Sequence, residues 1–116
     1  MLFVFLIMSE SALVSKQLEQ KLIIVLEQKE ENFQEYERSK ENMRISCQHV
    51  RYDEGNPFPF CLDSNRDDET IMKHNQLRQK MIQCRFDDEI YDLEILKLKD
   101  KIAEAKINEI QDINEL

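Results

Sequence analysis

Hydrophobic residues in the second half of the chain recur every three or four positions, which is the repeat of a helix with one face packed against a partner. One series follows the alternating four- and three-residue steps of a heptad, interrupted only by Asp88. Its members are Leu77, Met81, Cys84, Asp88, Tyr91, Ile95, Leu98, Ile102 and Ala105. This pattern predicts a helical arm over residues 64–116, with Ser64 and Asp67 as a capping box at its start.

A second hydrophobic series lies on the opposite side of the same predicted helix, since each residue turns the helix by about 100°. The series comprises Ile82, Phe86, Glu89, Leu93, Leu96, Asp100, Ala103, Ile107 and Ile110. A helix that is apolar on two faces needs two partners. We therefore predict a partner-binding surface, and its residues are Phe86, Leu93, Leu96 and Ile107.

The residue pattern also predicts a helix for the first arm, residues 9–46, with Ser9 and Ser11 as candidate N-caps. Its apolar stripe steps from Leu18 to Leu22, and either Val25 or Leu26 fills the next position. As core, either within the chain or in an oligomer, we predict Leu22, Leu26, Phe33 and Tyr36 from this arm and Leu77, Met81, Tyr91, Ile95, Leu98 and Ile102 from the second. The run from Leu22 to Leu26 is apolar all round, so this arm should have more than one neighbour.

The strong helix breakers Gly55, Pro57 and Pro59 all lie within a loop at residues 47–63. We predict an all-α fold in which two long helices, joined at this Pro/Gly corner, form a helical hairpin or a coiled coil. At about 1.5 Å per residue the second arm is longer, so roughly residues 103–116 should have no partner within the chain. Both the overhang and the second apolar face predict association with other chains.

Residues 1–8 form an apolar N-terminal segment that is much shorter than the roughly 20 residues needed to span a bilayer. No basic residue precedes it, which makes it a poor secretory signal. We interpret it, in a cytoplasmic protein, as either an upstream extension or an apolar tag that packs on a partner. A small secreted or membrane-tethered helical protein, in which Cys47 bridges Cys61, is the alternative.

Composition and charge narrow the partner classes. The formal net charge of −8 argues against nucleic acid and anionic membranes as partners, because both bind basic protein surfaces. Three cysteines form no dense disulfide framework, so we expect reduced thiols. Ion pairs at i,i+3 spacing, such as Glu35 with Arg38 and Glu41 with Arg44, should support exposed helix surfaces.

Residues near the corner include metal-binding and nucleophilic side chains. Cys47, His49, Cys61 and His74 are all possible zinc ligands, but their spacing fits no established zinc motif, and we predict no metal site. A cysteine–histidine nucleophile also needs a base within reach and a concave pocket, which a helical rod does not provide. We therefore predict no cofactor, no catalytic residue and no enzymatic activity.

The corner also contains the tripeptide Asn56-Pro57-Phe58, which resembles the short motif bound by EH domains of endocytic adaptors. That resemblance implies a trafficking adaptor that presents Phe58 to an apolar pocket. The alternative is a hairpin tip, where the proline ends the helix and Phe58, Phe60 and Leu62 fold back over the ends of the arms. We favour the hairpin tip.

Together these patterns predict a non-enzymatic coiled-coil interaction or scaffold subunit. Its partners should be proteins, either further copies in a homo-oligomer or other coiled-coil chains in a heteromeric complex. Cytoskeletal, centrosomal, ciliary and kinetochore assemblies use parts of this shape, an analogy at the level of the fold.

Overall fold

Two long helices and a short two-stranded ladder form the fold in the computed structural model. The structure describes the backbone of residues 2–52 and 58–115 and the side chains of residues 12–52 and 58–111. The elements are helix α1 (Leu2–Ser46), strand β1 (Val50–Arg51), strand β2 (Phe60–Cys61) and helix α2 (Asp68–Glu115). The predicted helical hairpin fold is confirmed.

Helix α1 begins at Leu2, so the prediction of a helix start and caps near Ser9 and Ser11 is wrong. The apolar segment at residues 1–8 continues into the arm without an intervening Gly or Pro. Straight-chain and branched apolar residues are compatible with a helix interior, so nothing in the local sequence stops the helix at Ser9.

Helix α2 begins later than predicted, and its N-cap is Asp67 rather than Ser64. The Oδ1 atom of Asp67 accepts a hydrogen bond from the backbone N–H of Thr70 at 2.8 Å. Asp67 therefore satisfies one of the amides that the first helical turn leaves unpaired. Asp68 and Glu69 add negative charge at the positive end of the helix dipole.

The chain divides into two compact units, each containing a part of both helices. The terminal unit comprises residues 1–28 and 90–116, and the loop unit comprises residues 29–89. In the terminal unit Val25, Ile95 and Leu98 form a buried cluster. Leu18, Leu22 and Tyr91 pack against that cluster. The helices are antiparallel here, because Glu19 lies before Val25 on α1 and pairs with Lys106, which lies after Leu98 on α2, at 3.1 Å.

The prediction that roughly residues 103–116 have no partner within the chain is wrong for the first part of that range. Ile102 and Ala105 are buried, and Lys106 pairs with Glu19 of α1. The two helices are of nearly equal length, with 45 residues in α1 and 48 in α2. The expected difference disappears because α1 starts earlier and α2 starts later than the sequence patterns indicated.

The loop unit has its own buried cluster, which consists of Met43, Cys47 and Met81. The partly buried side chains packed against it are Tyr36, Val50, Phe58, Cys61 and Leu77. Strands β1 and β2 are antiparallel, with Val50 opposite Cys61 and Arg51 opposite Phe60. The segment predicted as an irregular loop thus contains a small ladder that covers the end of the helix pair.

The contact seam of α1 differs from the predicted one at two positions. Leu26 and Phe33 are 44% and 53% exposed, so they are not core within the chain, and their assignment to the core of an oligomer stays a prediction. Val25 and Asn32 are the adjacent residues at heptad spacing from Leu22 and Tyr36. The seam comprises Ser15, Leu18, Leu22, Val25, Lys29, Asn32, Tyr36, Ser39 and Met43, all buried or half-buried.

Candidate interaction surface

The outer face of α2 exposes large apolar side chains in both units. Leu93 and Leu96 are each 60% exposed, and Ile107 is 56% exposed, all in the terminal unit. Phe86 is 60% exposed in the loop unit. These four residues are the predicted partner-binding set, and each leaves apolar surface in contact with water in the single chain.

The inner face of α2 differs sharply in burial from this outer face. Met81, Ile95, Leu98 and Ile102 are buried, and Leu77 and Tyr91 are half-buried. Leu98 is only 4% exposed, although it lies five positions after Leu93 on the same helix. Pairing of the two helices therefore covers the first apolar series and leaves most of the large apolar side chains of the second exposed.

Helix α1 adds further apolar surface in the terminal unit. Within the run from Leu22 to Leu26, Val25 faces the helix pair and is buried. Ile23 and Ile24 are 55% and 54% exposed, in addition to the exposed Leu26. Both helices of this unit therefore present apolar side chains to solvent, which is unusual for a stable monomer.

Charged side chains flank the buried seam. In the loop unit, Lys80 Nζ lies 2.6 Å from Glu35 Oε1, and this hydrogen bond, with the positive charges of Lys80 and Arg38, lowers the pKa of Glu35. The predicted i,i+3 pairs of Glu35 with Arg38 and Glu41 with Arg44 are confirmed. Such exposed pairs stabilise little, but the interhelical one favours the observed register.

A polar position interrupts the apolar seam in the loop unit. The side-chain amide of Asn32 donates to the backbone carbonyl oxygen of Cys84 at 2.7 Å. Next to it, Lys29 Nζ lies 3.9 Å from Asp88 Oδ1. A polar residue in a coiled-coil seam specifies register at some cost in stability, because a shifted pairing leaves its hydrogen bond unmade.

A small cleft adjoins this polar position. Its volume is about 70 Å³, and its lining includes Phe33, Tyr36 and Cys84. Pockets for small-molecule ligands are typically several times larger. Burial, and then the negative charges of Glu35 and Asp87, raise the pKa of the Cys84 thiol. The thiol is thus held in its protonated, weakly nucleophilic form.

The ends of the loop are joined by a disulfide between Cys47 and Cys61. The expectation of three reduced thiols is therefore wrong for this pair, and Cys84 is the free cysteine. The pairing depends on the β1–β2 ladder, which brings the two cysteines to a Cα–Cα distance of 5.8 Å. Closing a loop of this length stabilises the folded chain by about 3 kcal/mol in the chain-entropy model.

Asp63 organises the polar side of the loop. Its carboxylate accepts backbone hydrogen bonds from Gln48 at 2.9 Å and His49 at 3.0 Å. His49 Nδ1 also lies 2.9 Å from Asp63 Oδ1. The hydrogen bond from the Gln48 amide, followed by those from the His49 side chain and amide, lowers the pKa of Asp63.

His74 is buried and has a defined tautomer. Its Nδ1 lies 3.0 Å from Arg66 Nη1, and a guanidinium can only donate, so Nδ1 accepts. Nε2 then carries the proton and donates to Ser46 Oγ at 3.0 Å, and this hydroxyl donates to the Asn42 carbonyl oxygen. Because both ring nitrogens are engaged, His74 does not join Cys47, His49 and Cys61 in the four-residue group considered from the sequence.

The predicted loop motif is only partly described. Asn56 and Pro57 lie outside the described residues. Phe58 is half-buried and packs against the cluster of Met43, Cys47 and Met81. Phe60 lies under the guanidinium of Arg78, with 4.2 Å between Cζ and the ring centroid, and Leu62 is 55% exposed.

Within the described part of the chain, no helix contains an apolar stretch long enough to cross a bilayer. The protein has no match among protein-family models, curated proteins or solved structures.

Proposed function

We propose that this protein is a non-enzymatic coiled-coil interaction subunit, whose α2 outer face packs against a helix of another chain. The observation that carries the proposal is the exposure of Leu93, Leu96 and Ile107 at 56–60% on a helix whose other face is already packed. The partner is a second copy of the chain in a homo-oligomer or a different coiled-coil chain. Cytoplasmic assemblies such as cytoskeletal, centrosomal, ciliary or kinetochore complexes are the proposed setting, by analogy of fold alone.

The free energy gained by burying the exposed leucines supports association through this face. Fully burying a leucine side chain contributes about 1.5–3 kcal/mol. Since Leu93 and Leu96 are 60% exposed, covering this exposed part contributes roughly 1–2 kcal/mol for each. Losing both contributions weakens association by about 30- to 700-fold, at 1.4 kcal/mol for each factor of ten.

The test replaces Leu93 and Leu96 together with lysine. Sedimentation velocity over a wide concentration range should show an oligomer for the unchanged protein and a monomer for the double variant, with similar helicity by circular dichroism. A double variant with lysine at Gln76 and Gln83, both exposed polar positions of α2 about a quarter turn round the helix from Leu93, adds the same charge and should remain oligomeric.

Two results would contradict the proposal. An unchanged chain that stays monomeric at high concentration contradicts self-association. A photo-crosslinking residue at position 93 that captures no protein in native extract, while one in the buried seam crosslinks α1, contradicts a heteromeric partner as well.

A second candidate is the small secreted helical protein, which the Cys47–Cys61 disulfide favours because such bonds persist in oxidising compartments. Intact-mass analysis of the protein from its natural source distinguishes the two. A mature chain that has lost its first residues and retains the disulfide supports secretion, whereas free thiols support the cytoplasmic setting.

The trafficking-adaptor alternative has less support. EH-type recognition requires an accessible phenylalanine, whereas Phe58 packs against the loop-unit cluster. Replacing Phe58 with alanine should therefore affect folding of the loop rather than recruitment alone.

A further inference from the structure

We propose that the loop of the reduced protein is a zinc site, with Cys47, Cys61 and Asp63 as ligands and His49 as the fourth. This inference is independent of the interaction surface on α2. It concerns a group of side chains that the proposed coiled-coil function does not use.

The donor atoms are already close together. The sulfur atoms of Cys47 and Cys61 and a carboxylate oxygen of Asp63 all lie within 4.8 Å of one another. His49 Nδ1 is 2.9 Å from Asp63 Oδ1, and its side chain is 75% exposed and so has room to turn. Zinc bound tetrahedrally at about 2.0–2.3 Å separates its ligand atoms by roughly 3.2–3.8 Å. The donors of Cys47, Cys61 and Asp63 therefore need shifts on the order of 1–2 Å to surround one ion, and the exposed His49 side chain turns to supply the fourth donor.

The backbone holds these residues in two similar pairs. Cys47 directly follows the end of α1 and Cys61 is the last residue of strand β2, and one residue separates each from its partner, His49 or Asp63. The Leu62 N–H donates to the His49 carbonyl oxygen at 2.8 Å, which joins the two pairs. Two thiolates, an imidazole and a carboxylate form a donor set that zinc accepts.

The disulfide and the zinc complex exclude each other. A reductant must first supply two electrons and convert the disulfide to two thiols. Two thiol molecules do so by becoming a disulfide and giving up their protons, and a phosphine does so by taking an oxygen atom from water, whose two protons go to the thiols. Zn²⁺ then displaces the two thiol protons and forms two Zn–S bonds. Either linkage connects the end of α1 to β2, so zinc would replace the covalent closure of the loop under reducing conditions.

Cobalt(II) provides the first test, because its absorption reports thiolate ligation and tetrahedral geometry. The chain is reduced with a phosphine, desalted without oxygen and titrated with Co²⁺. We expect one equivalent to produce thiolate charge-transfer and intense visible bands, and one equivalent of Zn²⁺ to remove them. Native mass spectrometry should show one zinc on the reduced chain with loss of two protons, and none on the oxidised chain.

Variants locate the ligands. Cys61→Ser should abolish the cobalt bands, and His49→Ala and Asp63→Asn should each weaken zinc binding at least tenfold. Cys84→Ser is the matched control, because it removes the one cysteine outside the site, and its titration should be unchanged. Zinc should also raise the melting temperature of the reduced unchanged protein, a measurement that needs no variant.

The proposal is overturned if the reduced protein gives no cobalt bands, if the bands persist in Cys61→Ser, or if Cys84→Ser removes them. Absence of any thermal shift on adding zinc to the reduced protein would also overturn it.

Discussion

Truncating Leu98 to alanine tests the contribution of the buried seam to the stability of the helix pair. Leu98 is 4% exposed and packs in one cluster with Val25 and Ile95. Leu93 provides a control on the same helix and in the same unit, because it is the same residue type but 60% exposed. The two substitutions remove the same atoms from opposite faces of α2.

The expected magnitudes differ several-fold. Removing a buried leucine side chain costs about 2–5 kcal/mol, and the lower half of that range applies where surface side chains can relax into the space. We expect about 2–3 kcal/mol for Leu98→Ala. Leu93→Ala should cost about 0.5–1 kcal/mol in the monomer, because less than half of its side chain is covered.

Urea denaturation followed by circular dichroism measures both changes, at a concentration low enough for the protein to be monomeric. Because a two-helix core is small, the milder substitution Ile95→Val is measured as well, in case Leu98→Ala does not fold. A loss of about 0.5–1.5 kcal/mol is expected for Ile95→Val. Equal losses for Leu98→Ala and Leu93→Ala, or a larger loss for Leu93→Ala, would refute the assignment of the inner and outer faces.

Two further predictions concern polar residues. Replacing Asn32 with leucine should raise the thermal midpoint but allow additional oligomeric species, because the side-chain bond to Cys84 that selects the register is lost; a lower midpoint with a single species in sedimentation would contradict this role. Hydrogen bonds from Thr70 and the charge of Lys73 lower the pKa of Asp67, so its stabilisation should be complete above about pH 4 and disappear as the pH falls further. Thermal melts of the protein and of Asp67→Ala should differ most at about pH 7, with the difference shrinking as the pH falls below about 4, and a constant difference would show that the carboxylate charge does not contribute to capping.

The pattern along α2 was sufficient to predict the architecture. Its heptad series identified the inner face, and the confinement of Gly55, Pro57 and Pro59 to one loop identified the corner. These signals are local, since helix periodicity and breaker residues act through neighbouring backbone positions. For the same reason the hydrophobic repeat alone assigns Phe86 and Leu93 to the outer face.

Tertiary structure decided which residues of α1 contact α2. Val25 and Leu26 are both apolar and adjacent, so local hydrophobicity does not distinguish them. Val25 is buried because it packs against Ile95 and Leu98 of α2 in the terminal unit. In the loop unit Asn32 lies in the contact and Phe33 is exposed, against a simple ranking by hydrophobicity.

The structure of the loop was the least predictable from the sequence, because it depends on tertiary contacts. The Cys47–Cys61 bond and the hydrogen bonds of Asp63 join segments 14 and 15 residues apart, which meet only because β1 pairs with β2. Strands of two residues have no detectable periodicity, so the sequence predicted a loop and ordinary thiols there. The sequence alone thus determined two helices, a corner and an unpartnered apolar face, because these depend on local repeat and composition. The register and the disulfide arise from contacts between distant segments, and only the tertiary structure decides them.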